Sequence, residues 1–116
     1  MSNFTAIRER YLRDELPIRL GGLAANLARI KSFSRHPGHF DAVTSLLNES
    51  KYFIEWTAPS ATLEVQSELV ELQIQLAQWQ QGLSGIWSDA KQRQELADRA
   101  NTWSQRVLQL SGLLDN

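Results

Sequence analysis

Between Leu16 and Phe33 the chain reads LPIRLGGLAANLARIKSF, and apolar residues recur there every three or four positions. That period belongs to a helix, which turns about 100° per residue. Leu16, Leu20, Leu23, Leu27 and Ile30 fall on one narrow stripe, the seam of a helix packed lengthwise against neighbours. Arg19, Gly22, Asn26, Arg29 and Phe33 make a second stripe, and Gly21, Ala25, Ala28 and Ser32 line the back. Glycine in a helix interior costs about 1 kcal/mol relative to alanine. A back face this small either suits exposed helix positions that need no partner, as alanines do, or admits another backbone at close range, which would offset the cost of the glycines.

The same period returns in three later segments. A second helix is expected over about His39 to Trp56, with Phe40, Val43, Leu46, Leu47, Phe53 and Ile54 as its apolar set. A third spans about Ser60 to Gln81, with Thr57 or Ser60 as its cap and a seam of Val65, Leu69, Leu72, Leu76, Trp79 and Leu83. On nearly the opposite side of that helix lie Leu63, Val70 and Ile74, so a second element should meet it there. Gly82, Ser84 and Gly85 are read as its end. A last helix starts at Gly85 or Ser88 and runs to about Gly112, with Leu96, Ala100, Trp103, Val107, Leu110 and Leu114 as its seam. Before all of these, Asn3 to Asp14 forms a short helix carrying Phe4, Ile7 and Tyr11, and Pro17 marks a kink or a new start, with Asp14 or Leu16 at the cap.

Short connections between long helices imply antiparallel neighbours. The expected fold is all-α: an antiparallel up-down-up-down four-helix bundle with an additional short N-terminal helix, occupying residues 1–116 as one domain. The face of Leu63, Val70 and Ile74 then meets either that N-terminal helix or a second copy of the chain.

Charge is uneven along the chain although the formal net charge is only −1. From Leu16 to Phe40 there are four cations, Arg19, Arg29, Lys31 and Arg35, and no acid. From Asp41 to Ala77 there are six acids against Lys51 alone. The simplest reading sets the basic helix against the acidic ones with ion pairs at the rim. Cations this sparse, beside so many acids, make nucleic acid a poor partner. Cysteine is absent, which excludes disulfides, thiolate metal sites and cysteine nucleophiles. The charged N-terminal stretch lacks a secretory signal's apolar run, and no uncharged apolar stretch reaches membrane-spanning length. A cytoplasmic location, with no membrane contact, is expected.

Candidates for chemistry are few. His36 and His39 stand near Asp41, but two histidines flanking Pro-Gly supply too few ligands, so no metal site is expected. Arg29 and His36 resemble the loosely spaced arginine–histidine pair of the HEPN nucleases, themselves helical bundles. That resemblance implies RNA cleavage, with His36 as acid–base group and Arg29 stabilising the phosphorane. The pair closes the first main helix here, whereas in that family it lies toward the end of the bundle. No glycine loop precedes Lys-Ser or Lys-Thr, and no cofactor is expected. Trp79 and Trp103 fall on core seams, and Trp56 and Trp87 sit near helix ends, where a large ring plugs the fold. The abundant glutamines read as a solvated helical face.

With RLGGLAANLARIKSFS at Arg19–Ser34, ESKYFIEWTA at Glu49–Ala58 and ELVELQIQLAQWQ at Glu68–Gln80, the chain resembles a small helical family of unknown function found in cyanobacteria. The resemblance implies a stand-alone cytoplasmic domain and brings no activity with it. The leading expectation is a non-enzymatic interaction module, homodimeric, using either the face of Gly21, Ala25, Ala28 and Ser32 or that of Leu63, Val70 and Ile74. Arg19, Asn26 and Arg29 would then contact a partner or an anion. The HEPN-like use of Arg29 and His36 is the competing expectation.

Overall fold

The stripe on the first long helix is buried as its spacing requires. A computed structural model describes residues 2–114, which form five helices: α1 (Ser2–Arg13), α2 (Leu16–Ser34), α3 (Phe40–Thr57), α4 (Leu63–Trp87) and α5 (Ala90–Ser111). Short 3-10 turns at Pro37–His39 and Ala58–Ser60 precede and follow α3. No strand occurs among the described residues. Leu20, Leu23, Leu27 and Ile30 of α2 meet Val43, Leu47 and Ile54 of α3, Leu69, Leu72, Leu76 and Trp79 of α4, and Leu96, Ala100 and Val107 of α5 in one core. Each fully buried leucine or isoleucine contributes about 1.5–3 kcal/mol. The interface of α2 with α5 is the most extensive, that of α2 with α3 is next, and α4 contacts both α3 and α5. The Cα radius of gyration, 14.0 Å, is close to the roughly 13 Å of a compact chain this long.

Close approach between α2 and α5 uses other residues than the sequence suggests. Ala24, Ala97 and Ala100 are buried, and the Ser104 hydroxyl donates to the Ala24 carbonyl at 2.8 Å. Of the expected small-residue face, Ala25 and Ser32 are exposed and Ala28 is half-buried. A Cβ on Gly21 would meet the flexible end of Leu113 at 2.9 Å, and one on Gly22 would touch the Tyr11 ring at 3.6 Å. Neither glycine lies under a neighbouring backbone, so close packing does not account for them.

Four boundaries differ from the sequence reading. α2 begins after Glu15, which makes no side-chain cap bond, and Pro17 sits in its first turn, so the proline starts a new helix. α4 is capped by Thr62, whose hydroxyl accepts from Val65 N, instead of Thr57 or Ser60. α4 also runs straight through Gly82 and Gly85 to Trp87. Leu83 is buried there and Ile86 and Trp87 pack on the core; that burial outweighs about 1 kcal/mol for each glycine. Asp89 caps α5 through Lys91 N, while the Ser88 hydroxyl turns back to the Gly85 carbonyl. Gly112 ends α5 in the left-handed region at φ 76°, and Leu114 beyond it is exposed and outside the seam.

These environments predict opposite outcomes for two glycines. Gly22→Ala should leave stability unchanged or raise it by up to about 1 kcal/mol, and Gly112→Ala should lower it by about 1 kcal/mol, both read from thermal unfolding by circular dichroism.

Candidate interaction face

Leu63, Val70 and Ile74 lie on the outer side of α4 and are 79%, 57% and 55% exposed. The N-terminal helix does not cover them. Instead α1 docks on α3, with Phe4 edge-on to Tyr52 at 4.6 Å and Tyr11 stacked on Phe53 at 4.0 Å. Trp56 joins the same aromatic cluster. Aromatic pairs of this kind stabilise by about 0.5–1.5 kcal/mol beyond the area they bury, which draws α1 to α3 and away from the aliphatic face of α4.

Beside the exposed stripe runs a groove of about 370 Å³ between α3 and α4, with Ile54, Ala58, Leu69, Val70 and Ile74 as its apolar lining. Along it run three half-buried glutamines spaced seven apart, which bond to α3 and the turn that follows it. Gln66 Nε2 donates to the Ala58 and Ala61 carbonyls at 2.7 and 3.3 Å. Gln73 Nε2 donates to the Lys51 carbonyl at 3.3 Å, and Gln80 Oε1 accepts from Lys51 Nζ at 2.9 Å. Gln73 Oε1 is buried without a partner. The seven-residue interval was present in the sequence and was the signal for this ladder.

The polar stripe of α2 is mostly turned inward. Asn26, expected as a contact residue, is 1% exposed, and its Nδ2 donates to Glu49 Oε1 at 3.0 Å and Ser50 Oγ at 3.4 Å on α3. Arg29 is exposed and donates to Asn26 Oδ1 at 2.9 Å. Arg19 is half-buried; its Nε donates to the Asp14 carbonyl at 2.8 Å, and its Nη1 has no partner among the described residues. The basic helix and the acidic ones are thus joined by hydrogen bonds through an amide. Among the described residues the ion pair found is Arg106 with Glu68, 2.6 Å apart between α5 and α4. The Arg106 guanidinium there holds the Glu68 carboxyl below the usual carboxylate range.

His36 Nδ1 accepts from Gly38 N within its own turn, and the His39 ring packs 4.9 Å from that of Phe33. No hydrogen bond joins His36 to Arg29 among the described residues. Trp87 closes this end, its Nε1 donating to the Pro37 carbonyl at 2.8 Å and its ring edge-on to Phe40.

Tyr11 fastens α1. Its hydroxyl donates to the Arg19 carbonyl at 2.8 Å and is 2.9 Å from Thr57 Oγ1. Burial pushes the phenol up from 10.0 to about 12, partly countered by the Thr57 hydrogen bond.

Compared with known protein families, curated proteins and solved structures, the chain shows no match.

A phenol whose pKa rises on folding stabilises the fold fully below about pH 10, and that contribution is lost as pH climbs toward the folded value. Tyr11→Phe should therefore cost about 1–2 kcal/mol at neutral pH. The gap between the parent and the variant should narrow above about pH 10 in urea titrations. A constant gap would mean that ionisation of Tyr11 is not linked to folding.

Proposed function

We propose that this chain is a non-enzymatic interaction module that receives a helix on the face formed by α3 and α4. The observation that carries the reading is the coincidence of three exposed branched or long apolar side chains, Leu63, Val70 and Ile74, with an adjoining apolar groove. Scattered apolar residues are normal on a protein surface, while a contiguous patch marks a site of contact. The stripe from Leu63 to Ile74 is three turns long, about 16 Å at 1.5 Å per residue, which matches the footprint of a short helix laid in a groove.

In this reading the four long helices are an antiparallel up-down-up-down bundle, supported by their short connections and by the contacts of α2 with α3, α3 with α4, α4 with α5 and α5 with α2. α1 is then an added element held on the outside of α3. The alternative face of Gly21, Ala25, Ala28 and Ser32 is less suited, because the Leu113 side chain lies over Gly21. The RNA-cleaving alternative would set Arg29 and His36 on one phosphate; here Arg29 is engaged by Asn26 and His36 by Gly38.

A photoreactive amino acid placed at Ile74 in the native host tests the docking face. An adduct should form at Ile74 and be lost on adding Leu63→Glu and Val70→Glu, which lie on the surface and should leave the helical signal intact. Labelling no stronger than from the exposed Gln105 on α5 would refute the face. An adduct of twice the chain's mass identifies a second copy, the homodimer; any other mass identifies a different protein.

A further inference from the structure

From Tyr52 to Ala90 every ionisable side chain apart from tyrosine is an acid, namely Glu55, Glu64, Glu68, Glu71 and Asp89, and no lysine, arginine or histidine intervenes. Glu68 is answered by Arg106, which also feels Glu64. Glu55 lines the groove itself, and Glu71 sits on the far edge of the apolar stripe, next to Val70; both are exposed and neither has an ion-pair partner among the described residues. The cation closest to the groove, Lys51, has its ammonium on Gln80 at the end beyond Ile74.

Both amide N–H groups of Gln66 go to the backbone carbonyls of Ala58 and Ala61, and one of those of Gln73 goes to that of Lys51. The charged group that the groove itself offers an occupant is the Glu55 carboxylate. An apolar floor flanked by carboxylates without ion-pair partners fits an occupant that is apolar on one side and rich in cationic donors along its edges. A second copy of this face fits poorly, since a two-fold contact across α4 would bring the Glu55 and Glu71 carboxylates of two chains to one interface, where like charges repel.

We infer that the occupant of the α3–α4 groove is a basic amphipathic helix of another protein, its apolar side chains on Leu63, Val70 and Ile74 and its lysines or arginines on Glu55 and Glu71. This rests on the docking face proposed above and adds the partner's chemistry to it.

Two fluorescein-labelled model helices of identical leucine spacing, one with lysine and one with glutamate at every polar position, test the inference on the full chain. Fluorescence anisotropy should give the lysine peptide at least about a tenfold lower Kd than the glutamate peptide, with affinity falling as salt rises. Backbone NMR shifts on adding it should concentrate at Val70, Ile74 and Glu55. The pair Glu55→Gln and Glu71→Gln should remove most of the preference and of the salt dependence, and Val70→Glu with Ile74→Glu should abolish binding. Equal affinity for both peptides at that face would overturn the basic-partner assignment and leave the docking face standing. A preference unchanged by the glutamine pair, or binding that survives Val70→Glu with Ile74→Glu, would place the lysine peptide elsewhere and overturn the assignment as well. Binding of neither peptide also overturns it, and the cross-link at Ile74 then judges the docking face independently. An adduct at Ile74 of twice the chain's mass would overturn it in favour of a second copy.

Discussion

Burial of a single stripe on α2 governs the arrangement of everything else. Leu20, Leu23, Leu27 and Ile30 are essentially without solvent contact, closed in by α3 on one flank and α5 on the other. A helix enclosed from two sides cannot leave its polar flank wholly in water. Asn26 is carried inside with the leucines and finds Glu49 and Ser50 on α3, with Arg29 completing the amide from outside. A buried amide left unpaired would cost about 1–3 kcal/mol, so this contact restricts how α3 can slide along α2. On the α5 side the constraint is steric: Ala24, Ala97 and Ala100 keep the surfaces shallow enough for Ser104 to reach a backbone carbonyl.

The enclosure of α2 leaves α4 as the helix with an outer face to spare. It contributes Leu69, Leu72, Leu76, Trp79 and Leu83 to the core and is fastened to α3 by glutamines that bond to main-chain carbonyls. Glu55 of α3 and Glu71 of α4 lie on either side of the apolar stripe on its back, so the surface chemistry of the proposed docking face follows from how α4 is attached. α1 is kept off that face by aromatic stacking on the other side of α3 and by the two hydrogen-bonding partners of Tyr11.

Much of this was visible in residue order. The periodicity of Leu20 to Ile30, of Leu69 to Leu83 and of Leu96 to Val107 marks core faces because burial of large aliphatic groups outweighs local preferences. For the same reason the glycine rule failed at Gly82 and Gly85: local propensity argued for an end, and Leu83, Ile86 and Trp87 argued more strongly for continuation. Leu63, Val70 and Ile74 were legible as a second apolar stripe, but that α1 leaves it exposed was not. Glu55 and the floor at Ala58 were not, since they belong to another helix and reach the groove only when α3 lies beside α4. Gln78 and Gln81 are exposed as a solvated face requires, but Gln66, Gln73 and Gln80 are not, because a polar side chain at a helix flank looks the same in sequence whether water or a neighbouring group receives it.

The sequence by itself determined that this chain is helical, where its long segments carry their apolar faces, and that α4 has one face too many, because side-chain period and hydrophobicity are properties of a segment alone. Only the tertiary structure decided that α1 goes to α3, that Asn26 is interior, and that carboxylates of two different helices border the apolar stripe. Those are relations between helices, set by which surfaces fit and which donors are already taken, and no single segment encodes them.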